Sequence, residues 1–338
     1  MAKIRWYILS NFFKIFLSLF IPLFLIISLV YVVKIATLTT EIEISFTELI
    51  EIFSYFVPII LFYTIPISFI ASVTSMLFRL SSDNELVALF SLGIRSSYII
   101  RVISYLAFIF SILLLFLSIL IIPQSKNMFA TFKEIKLSQA RVNIVPNQLG
   151  QKFGDFYIYI KEKENKKLKD IVIFNASNQG EQIFIAPNGE IKDDKGVFSL
   201  ILNSGRGYTY NSDRLKEIDY KSMEIFDYIN YRNIGFKNSL EYWSKADDEK
   251  GIRGRLLFNI FTSLMPLLTL YIIASFSIIN SRYQKNRLFL VIFSISTIFY
   301  ITASIIKQSA NEILFIFTIL MAIILSFYWF KKRVVNFY

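Results

Sequence analysis

The sequence has no cysteine and no histidine among its 338 residues. This excludes disulfides, the usual zinc sites, cysteine nucleophiles and histidine-based catalytic triads. It also has no G-x-x-x-x-G-K-[ST] segment, with which P-loop proteins hold nucleotide phosphates. No pair of carboxylates lies within an apolar stretch, as a proton-coupled transporter usually requires. We therefore expect a chain that is not an enzyme and that has no catalytic residue, metal site or directly bound cofactor.

Long apolar runs account for most of the composition. Hydrophobic residues make up 55% of the chain, which is more than a soluble domain carries. A transmembrane helix needs about 20 mostly apolar residues. Six stretches meet this requirement, and the third ends at Pro123: Ile15–Val33, Phe53–Leu77, Val102–Ile122, Leu256–Ile279, Leu288–Ile306 and Ile313–Phe330. The sequence therefore predicts a membrane α-helical protein with six transmembrane helices.

The charges alternate from loop to loop. The net charge is +11, which in a soluble protein would suggest a nucleic-acid partner. Here the basic residues cluster at the N-terminus, after spans two and four, and at the C-terminus: Lys3, Arg5, Lys14; Arg79, Arg95, Arg101; Arg282, Lys285, Arg287; Lys331, Lys332, Arg333. The loop after span one is acidic, with Glu41 and Glu43 among its residues. Basic loops stay inside, so both termini are predicted to be cytoplasmic, and no nucleic-acid partner is expected.

The segment between spans three and four is polar and is predicted to lie outside the cytoplasm. It divides the chain into residues 1–123, an inserted domain over 124–250, and residues 251–338. Short alternating runs at 156–160, 171–174, 182–185 and 197–202, continued at 208–210 and 218–220, are typical of strands. Turns are predicted at 178–180, 187–189 and 193–196. The pattern favours an all-β sandwich or jelly-roll-like domain, which is either a passive cap or an apolar interior that accepts a lipid.

A short cytoplasmic helix is predicted over residues 82–94, between spans two and three. Ser82 and Glu85 fit a capping box, and Gly93 suits the left-handed position that closes a helix. Leu86, Leu89 and Phe90 then share one apolar stripe with Gly93. The stripe must be buried against the headgroup layer, against the protein's own helices, or in a groove on a soluble partner.

Two lysines lie at the predicted external ends of spans. Lys34 ends span one and Lys307 ends span five. Such lysines commonly extend to the interface, but they also suit an anion site for a phosphorylated lipid headgroup. Arg101 and Arg255, at opposite membrane faces, are interpreted as anchors.

The ordering of these features resembles the LptF/LptG permeases of the lipopolysaccharide exporter, over essentially the whole chain. Glu85-Leu86-Val87-Ala88-Leu89 with Gly93-Ile94 is similar to the family's E-x-x-A-L…G-[IL] coupling helix. Gly150–Phe153 and Asn280–Arg282 also match, and the latter loop, with Ile306–Ser309, looks closer to the LptF-like member.

The resemblance implies a permease paired with a second LptF/LptG-type permease and with two copies of the cytoplasmic ATPase LptB, which uses the ATP. Lipopolysaccharide would leave the bacterial inner membrane and reach a periplasmic β-jellyroll bridge through LptC and LptA. The coupling-helix residues would be Glu85 as polar contact, Leu86, Leu89 and Phe90 as apolar anchors, and Ala88 and Gly93. Lys34 and Lys307 would meet lipid A phosphates. The alternative is a non-transporting envelope scaffold or a sensor that uses the external β domain.

Overall fold

The computed structural model describes residues 2–40, 44–142, 145–153, 156–164, 167–177, 180–194, 197–211, 214–226, 238–278 and 288–336. The chain forms two compact units. The helical unit contains residues 1–36, 46–126 and 236–338, and the β unit contains residues 37–45 and 127–235. The predicted loop residues Glu41, Glu43, Arg282, Lys285 and Arg287 lie outside the described residues.

Ten helices are found in the described part of the chain. They are α1 (Ala2–Ala36), α2 (Phe46–Ser82), α3 (Glu85–Ser91), α4 (Ser96–Phe116), α5 (Ile122–Val142), α6 (Ser239–Ser244), α7 (Lys250–Ser263), α8 (Met265–Ser277), α9 (Leu288–Ser309) and α10 (Glu312–Phe330). Five stretches of these described residues are long and apolar enough to cross a membrane, and the bent pair α7–α8 makes up to six. The prediction of a multi-span helical membrane protein is confirmed.

The third span is interrupted but does not end at Pro123, so the predicted end there is wrong. A π-helical segment, Leu117–Ile121, joins α4 directly to α5. Proline lacks the N–H that would bond to the preceding turn, but a wider turn lets the helix continue past it. The first part of the predicted inserted domain, 124–250, is therefore helical up to Val142.

Helix packing in the helical unit depends on aromatic side chains and on one close backbone approach. Phe12, Phe69 and Phe261 are fully buried, and the ring centroids of Phe12 and Phe69 are 5.5 Å apart. A Cβ atom added to Gly254 of α7 would lie 2.1 Å from the Lys307 carbonyl oxygen of α9. Only glycine lets these two helix backbones come so close.

The β unit contains one antiparallel sheet in which each strand pairs with its sequence neighbours. The strands are β1 (Gln151–Phe153), β2 (Phe156–Glu164), β3 (Lys167–Ser177), β4 (Gly180–Asp194), β5 (Val197–Asn211) and β6 (Arg214–Phe226). An inserted β domain is thus confirmed. Its described strands follow an up-and-down order, without the Greek-key connections that define a jelly roll with two sheets.

A crease crosses the sheet at Lys161, Asp170, Pro187, Ser204 and Lys221. The strand registers skip the pairs between these residues, and Asp170 and Ser204 have left-handed backbones with φ of 50° and 54°. The alternation of buried and exposed side chains slips by one residue in each strand at this line. Because every strand slips together, one continuous core is kept on both sides: Ile158, Ile160, Leu168, Ile171, Ile173, Ala186, Ile191, Leu200, Leu202 and Ile225.

The predicted turn at Pro187-Asn188-Gly189 is wrong, because these residues lie inside the 15-residue strand β4. Pro187 lies on the crease, where the ladder pairs are missing and the N–H that proline lacks is not needed. Gly189 is buried, and a Cβ there would lie 2.4 Å from Ile171 Cδ1. Pro187 and Gly189 therefore fit the irregular backbone and close packing at the crease and do not form a turn. The other two predicted turns fall at strand ends, but residues 178–179 and 195–196 lie outside the described residues.

Gly205 beside the crease yields the first prediction. A Cβ there would lie 2.2 Å from the Tyr220 hydroxyl and 2.4 Å from the Ile185 carbonyl oxygen. We expect Gly205→Ala to destabilise the β unit by about 1–3 kcal/mol, because a backbone carbonyl cannot move aside as a flexible side chain can. Limited proteolysis of the full chain would show earlier cleavage within residues 127–235. Asn203→Ala, an exposed site on the same strand, is the matched control, and equal cleavage of both variants would contradict the prediction.

Candidate functional site

The helix that follows span two begins later than predicted. It spans Glu85–Ser91 rather than 82–94, and Ser82 is the last residue of α2. The predicted capping box is wrong, because α2 continues through Ser82 and the residue that precedes α3 is Asn84. Asn84 has a left-handed backbone with φ of 60°, and its side chain makes no capping hydrogen bond.

The end of α3 matches the prediction. Gly93 has φ of +82°, a region that L side chains rarely adopt. The N–H of Gly93 donates to the Phe90 carbonyl at 3.0 Å, and the N–H of Ile94 donates to the Leu89 carbonyl at 3.1 Å. These two bonds form a Schellman motif, which satisfies the last carbonyls of the helix.

The apolar stripe of α3 faces the protein's own helices. Leu86 is only 1% exposed and belongs to the main core of the helical unit, against which Leu89 and Phe90 also pack. Leu86 therefore offers no surface to a partner, and its interpretation as a docking anchor is wrong. The opposite side of the helix is open to solvent: Val87, Ala88, Ser91 and Leu92 are all exposed, and Leu92 is 78% exposed.

Glu85 ties α3 to the first helix. The Tyr7 hydroxyl donates to Glu85 Oε2 at 2.5 Å. Two residues earlier, Arg5 Nε donates to the Tyr98 hydroxyl at 3.0 Å, which joins α1 to α4. The beginning of α1 thus holds both α3 and the helix that follows it, at what we call the N-terminal end of the bundle. Sequence reasoning identified Glu85 but not its partner Tyr7, which lies 78 positions away.

Four cationic side chains lie in the same region at the opposite end of the helical unit, where the charges of three of them act on the fourth. Lys126, in the first turns of α5, is repelled by the charges of Arg255, Lys307 and Lys34. The structure thus brings together the two lysines predicted from sequence with two more residues. Arg255 was interpreted only as an anchor, and Lys126 was missed because it follows Pro123 and appeared to begin the inserted domain. We call these four residues the cation cluster.

Aromatic rings support the cation cluster. The Lys34 ammonium lies 5.8 Å from the Tyr31 ring centroid and 5.9 Å from that of Phe56, and Lys307 lies 5.6 Å from the Phe258 ring. The Arg255 guanidinium lies 5.8 Å from the Tyr242 ring. Burial is the main cause that raises the pKa of the Tyr242 phenol, so this side chain is neutral at physiological pH. Cation–π attraction to these neutral rings stabilises the cations but does not neutralise their charge.

The π-helical segment near the cation cluster leaves carbonyls that other helices satisfy. The Trp243 indole donates to the Ile119 carbonyl at 2.8 Å, the Ser239 hydroxyl donates to Leu120 at 2.6 Å, and Asn259 donates to Ser118 at 3.3 Å. Such outside donors are what allow irregular backbone at membrane depth. They attach the third span to α6 and α7.

The fourth span is bent beside this polar contact. Its two halves, α7 and α8, meet at an angle of 44° around Leu264, with Pro266 at the start of α8. The Ser118 and Ser263 hydroxyls, one from each span, lie 3.2 Å apart. Two adjacent spans are therefore interrupted at the same depth. Among the described residues, no three Asp or Glu side chains come together as a metal site would require.

The remaining motif residues are placed as follows. Gly150 has φ of +82° and precedes β1, and Gln151 folds back so that its side chain accepts from the Val145 N–H at 2.6 Å and donates to the Val145 carbonyl at 2.7 Å. The Gly150–Phe153 segment thus contains a left-handed glycine followed by the first strand of the sheet. The Asn280–Arg282 loop lies outside the described residues, so the LptF-like assignment stays a prediction.

The family profile described as lipopolysaccharide export system permease LptF/LptG matches residues 6–332. Comparison with curated proteins gives no significant match. The family match includes α3, the inserted β unit and every residue of the cation cluster. The chain therefore belongs to the LptF/LptG family of lipopolysaccharide export permeases.

Proposed function

We propose that this chain is the permease subunit of an ATP-driven exporter that extracts lipopolysaccharide from the inner membrane and passes it to a periplasmic β bridge. It works with a second LptF/LptG-type permease, two copies of the ATPase LptB, and LptC and LptA. Both termini and α3 are cytoplasmic, and the β unit is periplasmic. The chain binds no cofactor itself, since the ATP is used by the partner ATPase.

The observation that carries the proposal is the cation cluster. Lys34, Lys126, Arg255 and Lys307 come from four different helices, and the positive charges of Lys34, Arg255 and Lys307 act unfavourably on that of Lys126. Such an arrangement is relieved by a polyanion with several phosphate or carboxylate oxygens, because each charged hydrogen bond is strong where water is scarce. The phosphates of lipid A at the outer leaflet have this chemistry.

In this proposal the partner ATPase docks on α3, which transmits the conformational change caused by ATP hydrolysis. Its exposed face, formed by Val87, Ala88, Ser91 and Leu92, is small and apolar enough to lie in a groove on the ATPase. Its buried face, formed by Leu86 with Leu89 and Phe90, transmits the motion to the helical core. Glu85 fixes the angle between α3 and α1 through Tyr7, which differs from the direct contact with the ATPase predicted from sequence.

The edge of the β unit supports the proposal that lipopolysaccharide is passed to a periplasmic β bridge. Strand β6 has a paired edge toward β5, and no described strand pairs with its other edge. Leu215 and Ile218 on this strand are 68% and 60% exposed. An open edge with exposed apolar side chains suits pairing with another β domain, by which a sheet is extended from one protein to the next.

The second prediction tests the cation cluster. A photocrosslinking residue at position 126 should capture lipopolysaccharide several-fold more efficiently than one at Leu320, an exposed position on α10. The double substitution Lys34→Gln, Lys307→Gln, tested with the probe at 126, should lower the crosslinked fraction by roughly tenfold or more, since a hydrogen bond to a charged group contributes about 1.5–3 kcal/mol.

Lys332→Gln serves as the control for lost positive charge, because Lys332 lies at the end of α10 beside Tyr328 and not in the cation cluster. Equal crosslinking from positions 126 and 320, or unchanged crosslinking in the double variant, would remove the case for a headgroup site. The variants should keep the ATPase bound, since α3 lies at the other end of the bundle.

A further inference from the structure

A second apolar site lies at the N-terminal end of the helical unit, between α1 and α4. It is a groove with a volume of about 540 Å³, within the range of roughly 300–1,000 Å³ that is usual for ligand sites. Arg5, Leu9 and Phe13 line one wall, and residues from Tyr98 to Leu113 line the other. None of its lining residues belongs to the cation cluster or to α3.

The groove runs along the helices for about one leaflet. Arg5, Leu9 and Phe13 follow one another at intervals of four, so they form a single stripe on α1. On α4 the wall extends from Arg101 to Leu113, which is roughly 18 Å at 1.5 Å per residue. Half of the hydrocarbon thickness of a bilayer is about 15 Å. A lipid tail in this groove would thus reach from the headgroup layer to the bilayer midplane.

Positive charge is confined to one mouth of the groove. Arg5 and Arg101 line that mouth, and the residues beyond them, such as Leu9, Ile109 and Leu113, are apolar. Within the described part of the chain, neither arginine forms an ion pair with a carboxylate. Arg5 is instead held in place by its hydrogen bond to the Tyr98 hydroxyl. Trp6, the next residue in the chain, is 74% exposed, and tryptophan is enriched where transmembrane helices meet lipid headgroups.

We infer that this groove binds one anionic glycerophospholipid of the cytoplasmic leaflet. Its phosphate lies between Arg5 and Arg101, and one acyl chain follows the apolar wall toward Leu113. A basic pocket between helices at the cytoplasmic surface has the charge and shape that anionic headgroups prefer. The inference goes beyond the transport function and rests only on the cytoplasmic placement of the N-terminus in the proposed topology.

The occupied groove adjoins the coupling region. Arg5 precedes Tyr7, which bonds to Glu85 of α3, and Tyr98 belongs to the helix that follows α3. A bound phosphate would therefore stabilise the part of α1 that positions α3. The lipid is a structural partner at this end of the bundle, whereas the transported lipid is expected at the cation cluster.

The test uses the full chain purified with its partner subunits in mild detergent. After delipidation, phosphatidylglycerol or phosphatidylcholine with identical acyl chains is added, and bound lipid is counted by native mass spectrometry. We expect one retained phosphatidylglycerol in the unaltered protein and weaker retention of phosphatidylcholine. Arg5→Gln with Arg101→Gln should lower phosphatidylglycerol retention by roughly tenfold. Lys332→Gln, at another basic position, should retain it fully.

A photocrosslinking residue at Ile109 tests the apolar wall while both arginines are kept. It should label the acyl chain of phosphatidylglycerol. Unchanged retention in the double arginine variant, equal retention of the two lipids, or labelling of a partner helix instead of lipid would overturn the inference. Because lipopolysaccharide is absent from this assay, a failure of the transport proposal would leave its result unaffected.

Discussion

Glu85→Lys is expected to abolish lipopolysaccharide export and to release the ATPase during purification. The carboxylate accepts the Tyr7 hydroxyl at 2.5 Å, and a lysine ammonium has no acceptor for it. The charge of Arg79 also acts on Tyr7, so a lysine at 85 would face a cation as well. Loss of a hydrogen bond to a charged group costs about 1.5–3 kcal/mol, which corresponds to a ten- to hundredfold change in docking equilibrium.

Two further variants separate charge from geometry. Glu85→Gln keeps an acceptor oxygen for Tyr7, so it should retain most of the ATPase binding. Tyr7→Phe removes the donor but leaves the carboxylate, so it should weaken export to an intermediate level. ATPase copurification and lipopolysaccharide release from spheroplasts measure the two effects. Wild-type behaviour of Glu85→Lys in both assays would show that α3 does not couple the ATPase to the permease.

Gly254→Val is expected to be the most damaging single change in the helical unit. A Cβ at this position would lie 2.1 Å from the Lys307 carbonyl oxygen and 3.2 Å from its carbon. Helix α9 would have to move, and the Lys307 side chain would leave the cation cluster. Overpacking at a rigid backbone contact costs about 1–3 kcal/mol or more, so we expect a lower melting temperature and loss of export.

Gly251 provides a matched control one turn earlier on the same helix. A Cβ there would meet nothing within 4 Å, and the residue is exposed. Gly251→Val adds the same side chain to the same helix and likewise replaces glycine with a residue of higher helix propensity, but its Cβ meets nothing within 4 Å. Thermal unfolding followed by size-exclusion fluorescence distinguishes the two. If both variants melted at the same temperature, the close approach of α7 and α9 would not be what limits stability.

The multi-span character of the chain and the presence of an inserted β domain were readable from sequence, because both depend on local hydropathy. The start of α3 was not, because Ser82 and Glu85 have the spacing of a capping box whether or not the preceding helix has ended. The burial of Leu86 likewise depends on residues far away in the sequence and not on the local pattern. An apolar stripe shows that a helix face is buried, but it does not show which surface covers it.

Two of the four residues of the cation cluster were predicted from sequence. Lys34 and Lys307 stood out because each ends an apolar span, whereas Lys126 and Arg255 lie in polar surroundings that hide their position. Their proximity follows from the packing of four helices, which no spacing in the sequence encodes. The crease had a visible signal: Leu168 is out of phase with Ile171 and Ile173. Pro187-Asn188-Gly189 has the composition of a turn, which predicts a strand end where β4 in fact continues through the crease.

The crease also limits how the length of the β unit can change during evolution. Since side chains alternate with a period of two, deleting one residue within a strand would invert the facing of every side chain of that strand on one side of the deletion. A compensating change would be needed in each neighbouring strand. The hairpin ends carry no such requirement. Homologues should therefore differ in length at the strand connections and agree in the number of residues between each connection and Lys161, Asp170, Pro187, Ser204 or Lys221.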